Sequence, residues 1–161
     1  MSAPAVIEAD LPAVSMLHER IAPGDFLDCY AVDAGLSPRQ AATVITAFPG
    51  WARALLRLRY WLTAPFGLLQ DGPPASDKIG VFPVEAEASN EIIAGFNDRH
   101  LDFRISVLSD HGRIFLGTWV HPHNLGGRLY LKAIMPFHIL IARNALSRVA
   151  AHTGAASGRR G

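Results

Sequence analysis

Four polar side chains at alternate positions, His100, Asp102, Arg104 and Ser106, form the sharpest chemical pattern in the chain. In an extended strand alternate residues share a face. Neighbours on that face lie about 7 Å apart, within reach of long side chains. Asp102 could then orient His100 as a general base. Arg104 carries a planar fork that matches a carboxylate or a phosphate. Leu101, Phe103, Ile105 and Val107 fill the intervening positions and supply an apolar face. The competing role is structural, because a carboxylate–arginine pair is also a routine lock between strands.

The other polar residues give weaker patterns. Glu91 precedes the turn at Asn97–Arg99 and would lie opposite Ser106 or Val107, with Arg104 as a diagonal partner. His121 and His123 flank Pro122 and could form half of a metal site. A third ligand would have to come from afar (His18, His111 or His138), and no carboxylate stands at a recognisable spacing, so no metal is expected. His138 falls on the apolar stripe of a helix, where a hydrogen-bonded core role competes with projection into a ligand space. Ser106 sits among branched apolar residues and lacks the turn that presents a nucleophilic serine. Cys29, the only cysteine, excludes an internal disulfide and a thiolate metal cluster. Beside Tyr30 in an apolar strand it reads as packing.

These side chains need a frame, and 161 residues suffice for one domain with a sizeable core. Half the chain is hydrophobic and 18% is charged, which describes a globular protein. A formal charge of +1 provides no general field for nucleic acid. The N-terminus lacks the basic and apolar regions of a secretory signal. No uncharged apolar run reaches the ~18 residues of a spanning helix; Arg53, Arg57 and Arg59 interrupt the nearest stretch. A cytoplasmic protein without an integral membrane segment is the expectation.

Residues 1–13 are expected as a loose arm, 14–152 as one domain and 153–161 as a frayed tail. A first strand covers 25–32. Ser37 is a good N-cap and Pro38 suits the first turn of a helix running to Phe48. Pro49-Gly50 breaks it, and a second helix covers 51–64 with Trp51, Leu55, Leu58 and Leu62 on one stripe. Its arginines and aromatics could suit a membrane surface or an anionic partner, although a solvated basic face is the simpler reading. After the turn-rich 70–78, strands are expected at 79–84, 91–96, 100–108 and 113–121, the last two joined through Ser109–Gly112. A long helix follows over 125–152, with Leu125, Leu129, Ile134, His138, Ile141, Ala145 and Val149 near its buried stripe. Pro136 must kink or interrupt it. This order gives an α+β fold: a curved antiparallel sheet, two short helices after the first strand, and a long C-terminal helix packed on the sheet.

That order resembles the helix-grip fold of START lipid-transfer domains, polyketide cyclases and the birch-pollen allergen. The segments FPGWARALLRLRYWL, FGL, NEIIAGFNDRHLDFRISV, NLGGRLYL and MPFHILIARNAL resemble a bacterial family of unknown function. The same family forms the C-terminal part of some NmrA-like short-chain-dehydrogenase relatives. The likeness covers Val14 to Val149, with HLDFR and PFH its most distinctive parts. The family supplies no established catalytic residue. The chain has no Gly-rich phosphate loop either, since Gly126-Gly127 follows Asn124 without the GxGxxG pattern, and no cofactor is expected.

The fold likeness implies a module that holds a small apolar or amphipathic molecule between sheet and last helix. Phe82, Phe103, Phe115, Trp119, Tyr130 and Phe137 are the candidate lining residues. A second expectation is a cyclase- or hydratase-type enzyme using His100 or His138 with Asp102 and Arg104. A third is an interaction module or homodimer.

Overall fold

The structure is a computed structural model and describes residues 2, 4–67 and 73–157. It is α+β. Strands β1 (Ile7–Glu8), β2 (Phe26–Asp33), β3 (Lys78–Ile79), β4 (Phe82–Glu87), β5 (Glu91–Asn97), β6 (Leu101–Asp110) and β7 (Arg113–Pro122) form one open sheet. Its order is β1-β2-β7-β6-β5-β4-β3, and every adjacent pair is antiparallel. Helices α1 (Pro38–Thr46) and α2 (Gly50–Thr63) follow β2, and α3 (Leu125–Ser157) ends the described chain. The helix runs through Pro136 as one element, where the sequence anticipates a kink or a break.

Local chemistry accounts for these boundaries. Ser37 and Gln40 exchange hydrogen bonds as a capping box at the start of α1. At its other end Arg148 of α3 donates to the carbonyls of Val44 and Ala47, at 2.6 and 2.8 Å. These carbonyls have no partner within their own helix, so one guanidinium closes α1 and docks it on α3. Asn124 accepts from the Gly127 amide at 2.9 Å and starts α3. His111, with φ 48°, and Gly112 make the turn from β6 to β7.

Each face of the sheet is covered by a different layer. Val32, Ile92, Val107, Ile114 and Leu116 point to the helical side and pack against Ala145, Leu146 and Val149 of α3 and Ala41, Ala42 and Ile45 of α1. The opposite face is covered by the N-terminal segment. Leu11 and Leu17 pack there on Cys29, Ile93 and Trp119. A Cβ on Gly117 would stand 2.9 Å from Leu11 Cδ1, so the glycine is what allows the segment to lie close. Within the expected loose arm, therefore, Ile7–Glu8 pairs with β2 and Leu11 is buried.

Two helical stripes differ from expectation. Leu125 and Leu129 are exposed, and the buried stripe of α3 lies further along, through Ala142, Ala145, Leu146, Val149 and Ala150. In α2, Leu58 and Leu62 face solvent, whereas Ala52 and Thr63 are buried. The end of α3 over which the sheet offers most contact is its C-terminal half, where α1 completes the layer.

Candidate functional site

The polar positions of β6 face the N-terminal segment, away from α3. Arg104 is buried there and its Nε–H donates to Glu85. It also donates to Asn97 Oδ1 at 2.9 Å and to the Phe103 carbonyl at 2.8 Å. Arg20, on a short 3-10 turn, pairs with the same Glu85 and lies over the Trp119 ring. Burial lowers the pKa of both guanidinium groups, and Arg104 repels Arg20 in addition. Two arginines sharing one carboxylate hold the N-terminal segment against β4 and β6. Glu91 does not join them. It stands opposite Leu108, is 1% exposed, and accepts from Ser15 Oγ at 2.5 Å, the Met16 amide at 2.7 Å, and Ser106 Oγ.

The same face carries two imidazole–carboxylate pairs. His121 lies opposite Asp102 across the ladder, yet its partner is Asp25, just before β2. His121 Nδ1 is 2.6 Å from Asp25 Oδ1, and the indole N–H of Trp119 donates to Oδ2 at 2.8 Å. The Asp25 side chain is 2% exposed and the His121 side chain 47%. Burial pushes the Asp25 pKa up, but hydrogen bonds from His121, the Ala22 amide and Trp119 prevail and hold it below the usual range. A carboxylate can only accept, so His121 Nδ1–H is the donor. Among the described residues Nε2 has no protein partner.

The second pair is His123 with Asp102. His123 Nε2 stands 3.0 Å from Asp102 Oδ1, obliquely, as an ion pair rather than an aligned hydrogen bond. Its Nδ1 is 3.2 Å from the Arg99 carbonyl oxygen. Both neighbours are acceptors, and only the imidazolium satisfies both. Asp102 first, and the Arg99 carbonyl next, therefore raise the His123 pKa. The rings of His121 and His123 are 5.8 Å apart, but each is engaged by its own carboxylate. No group of three or more His, Cys, Asp or Glu among the described residues is placed to hold a metal ion.

His100 departs from its expected place. It lies in the turn before β6, and its ring Nδ1 faces the Asn124 amide at 3.2 Å. Asp102 consequently meets His123, not His100. The fourth candidate, His138, is on the other side of the sheet. Its Nε2 is 2.9 Å from Asp28 Oδ2 and its ring stands edge-on to Phe26 at 6.2 Å. Asp28 Oδ1 is buried and makes no hydrogen bond.

The six candidate lining residues also divide. Phe82 and Phe103 meet edge-to-face on the helical side at 5.5 Å. Tyr130 is half-buried beneath Arg59, whose Nε–H donates to its hydroxyl. Phe137 points outward from α3. Phe115 and Trp119 are on the opposite face, under the N-terminal segment. Phe115 also borders an open cleft of about 360 Å³ with Asp33, Asp110, His111 and Arg113. A smaller depression of about 160 Å³ lies along Glu8–Leu11 and Leu27–Cys29.

Sequence reasoning overlooked Asp25 and Asp28 as partners of histidines. Their only signal was position, at the start of a strand bounded by apolar residues on both faces. No curated protein and no solved structure matches the chain. A family model does match, over residues 20–145. The span includes both imidazole–carboxylate pairs, the Arg104–Glu85–Arg20 cluster and the Asp28–His138 contact, and the chain belongs to the DUF2867 family, described as proteins of unknown function.

Proposed function

We propose that the protein binds a small amphipathic molecule between the sheet and the N-terminal half of α3, with Asp28 and His138 fixing its polar end. One observation carries this reading: Asp28 Oδ1 is buried without a hydrogen-bond partner. A buried carboxylate oxygen lacking a donor is costly, and a hydroxyl or ammonium group on a ligand would supply one. The surroundings favour an apolar body behind that group. Phe26, Phe103, Ile105 and Ile134 are only half-buried, whereas the C-terminal half of α3 is tightly packed on the core. The helix-grip likeness, with a sheet laid against a C-terminal helix, agrees with such a use.

The test is a calorimetric comparison of decanol, decylamine and decanoate on the wild type and on Asp28→Asn. A donor-seeking carboxylate predicts that decanol and decylamine bind better than decanoate, and that Asp28→Asn weakens them about 10-fold, as for loss of one charge-assisted hydrogen bond. Absence of binding by all three, or equal binding to the variant, overturns the reading.

A second reading, acid–base catalysis, is favoured by His121. Its Nδ1 is fixed by the buried Asp25 and its Nε2 is open to solvent, the arrangement of an oriented general base. Hydration or isomerisation of conjugated carbonyl compounds would be the reaction class to screen. Activity that survives His121→Ala removes this reading.

A further inference from the structure

All 14 aspartates and glutamates lie outside residues 34–67 and 124–157, the stretches that form the helical layer. The layer carries only cations. Arg39 is spoken for by Asp77 and Glu87, and Arg148 by the carbonyls of α1. Arg53, Arg57, Arg128 and Lys132 are exposed, and their side chains make no hydrogen bond or ion pair among the described residues. The net charge of +1 thus hides a molecule with a basic helical side and an acidic sheet side.

The same side is apolar. Trp61 is 78% exposed, Leu62 65%, Leu129 58% and Leu140 55%. Trp51, Leu58, Tyr60 and Phe137 are exposed beside them. The two helices meet where Arg59 of α2 lies over the Tyr130 ring of α3 at 5.5 Å. Soluble monomers rarely leave so many large apolar side chains uncovered in one region.

We infer that this face of α2 and the N-terminal half of α3 docks on the surface of an anionic lipid bilayer. Charge selects the occupant. A two-fold dimer through this face would press arginines against their own copies, with no carboxylate to meet them. A nucleic acid would engage the cations but leave Trp61, Leu62, Phe137 and Leu140 in water. An anionic bilayer satisfies both: headgroups meet the cations, and aromatic and leucine side chains enter the interface. The helix Leu125–Ala155 is long and apolar enough to cross a membrane by length and composition. However, Ala142, Ala145, Leu146 and Val149 are buried in the protein core, so α3 lies along the surface instead of spanning. The inference stands apart from the ligand reading, since its residues are exposed to solvent whereas Asp28 and His138 are partly buried.

The experiment is flotation of the full chain with phosphatidylcholine vesicles, with and without phosphatidylglycerol. Tryptophan emission is followed in parallel. Trp119 is buried, so a blue shift on binding reports Trp51 and Trp61. The expected result is flotation with the phosphatidylglycerol vesicles, release by salt, and a blue shift. Each exposed cation contributes roughly five-fold to partitioning, so the double variant Arg53→Gln, Arg57→Gln should bind about 25-fold more weakly. Trp61→Ser tests the apolar part, and circular dichroism checks that each variant keeps its fold. Equal flotation with both vesicle types, no flotation, retention unaffected by salt, or a dimer in solution that buries Trp61 would each overturn the inference. Tighter binding to duplex DNA than to phosphatidylglycerol would do the same.

Discussion

Replacing Glu91 by alanine should loosen the N-terminal segment before it unfolds the sheet. Glu91 is buried among Ser15, Met16 and Ser106, and its carboxylate accepts from all three. A hydrogen bond to a charged group contributes about 1.5–3 kcal/mol, and a buried donor left unpaired costs about 1–3 kcal/mol. The two serine hydroxyls can re-aim, but the Met16 amide is fixed by the backbone. Loss of the buried charge itself returns part of the total. The net expectation is about 3–4 kcal/mol, a large share of the ~5–15 kcal/mol that stabilises a domain of this kind. Urea unfolding gives the global value, and limited proteolysis within residues 9–20 gives the local one. Because the contacts form one network, Ser15→Ala combined with Glu91→Ala should show coupling of about 1–2 kcal/mol. A loss under about 1 kcal/mol, additive single variants, or unchanged proteolytic protection would refute the role of Glu91 as the anchor of the segment.

Other outcomes follow from the same geometry. His123 has a folded pKa raised by Asp102, so its ion pair stabilises the protein fully below its unfolded pKa, about 6.5, and the gain disappears as pH rises through the elevated folded value. Asp102→Asn should thus shift urea midpoints on the acid side of neutrality and leave them nearly unchanged on the alkaline side. Asp25 behaves oppositely. Its folded pKa is depressed, so its contribution is present above about 3.9 and lost as pH falls through the folded value; Asp25→Asn should flatten the acid limb of the stability profile. Burial, with Asp28 and Asp10 nearby, pushes the Cys29 thiol up to about 12, so iodoacetamide at neutral pH should label it only after unfolding, and labelling of the native protein at the rate of a free thiol would contradict this. Gly95→Ala should destabilise by more than about 3 kcal/mol, since its Cβ would lie 2.2 Å from the Phe103 carbonyl oxygen at φ +149°; a urea midpoint near wild type would show that the strands can separate there.

The order of elements was legible because strand and helix periods are written locally. Alternation in 101–107 put Asp102, Arg104 and Ser106 on one face, and they do share it. The period does not say which layer covers that face. The answer depends on Gly117 making room for Leu11, and on Glu85 and Glu91 being met by Arg20 and Ser15 from a distant part of the chain. Extending the alternation by one residue places His100 on the strand, but the turn ends there and its ring Nδ1 faces the Asn124 amide. His121–Asp25 and His138–Asp28 were illegible for the same reason: each joins residues from opposite parts of the sequence, brought together only when β2 enters the sheet. The stripe of α3 misled because its apolar residues surround the helix, and packing, not periodicity, decides which of them are covered.

The pairing of β2 with β7 also sets a condition on synthesis. Phe26 faces Val120 and Val32 faces Ile114, so the first long strand to leave the ribosome waits for the last one. Until β7 emerges, Tyr30, Ala31 and Val32 have no ladder partner on that side, and α3, which covers Tyr30 and Val32, comes later still. The β5–β6–β7 meander can close locally as it appears, but completion of the sheet depends on the far end of the chain. Nascent chains truncated before β7 should therefore expose an apolar strand edge, and chaperone engagement should be longest over this interval.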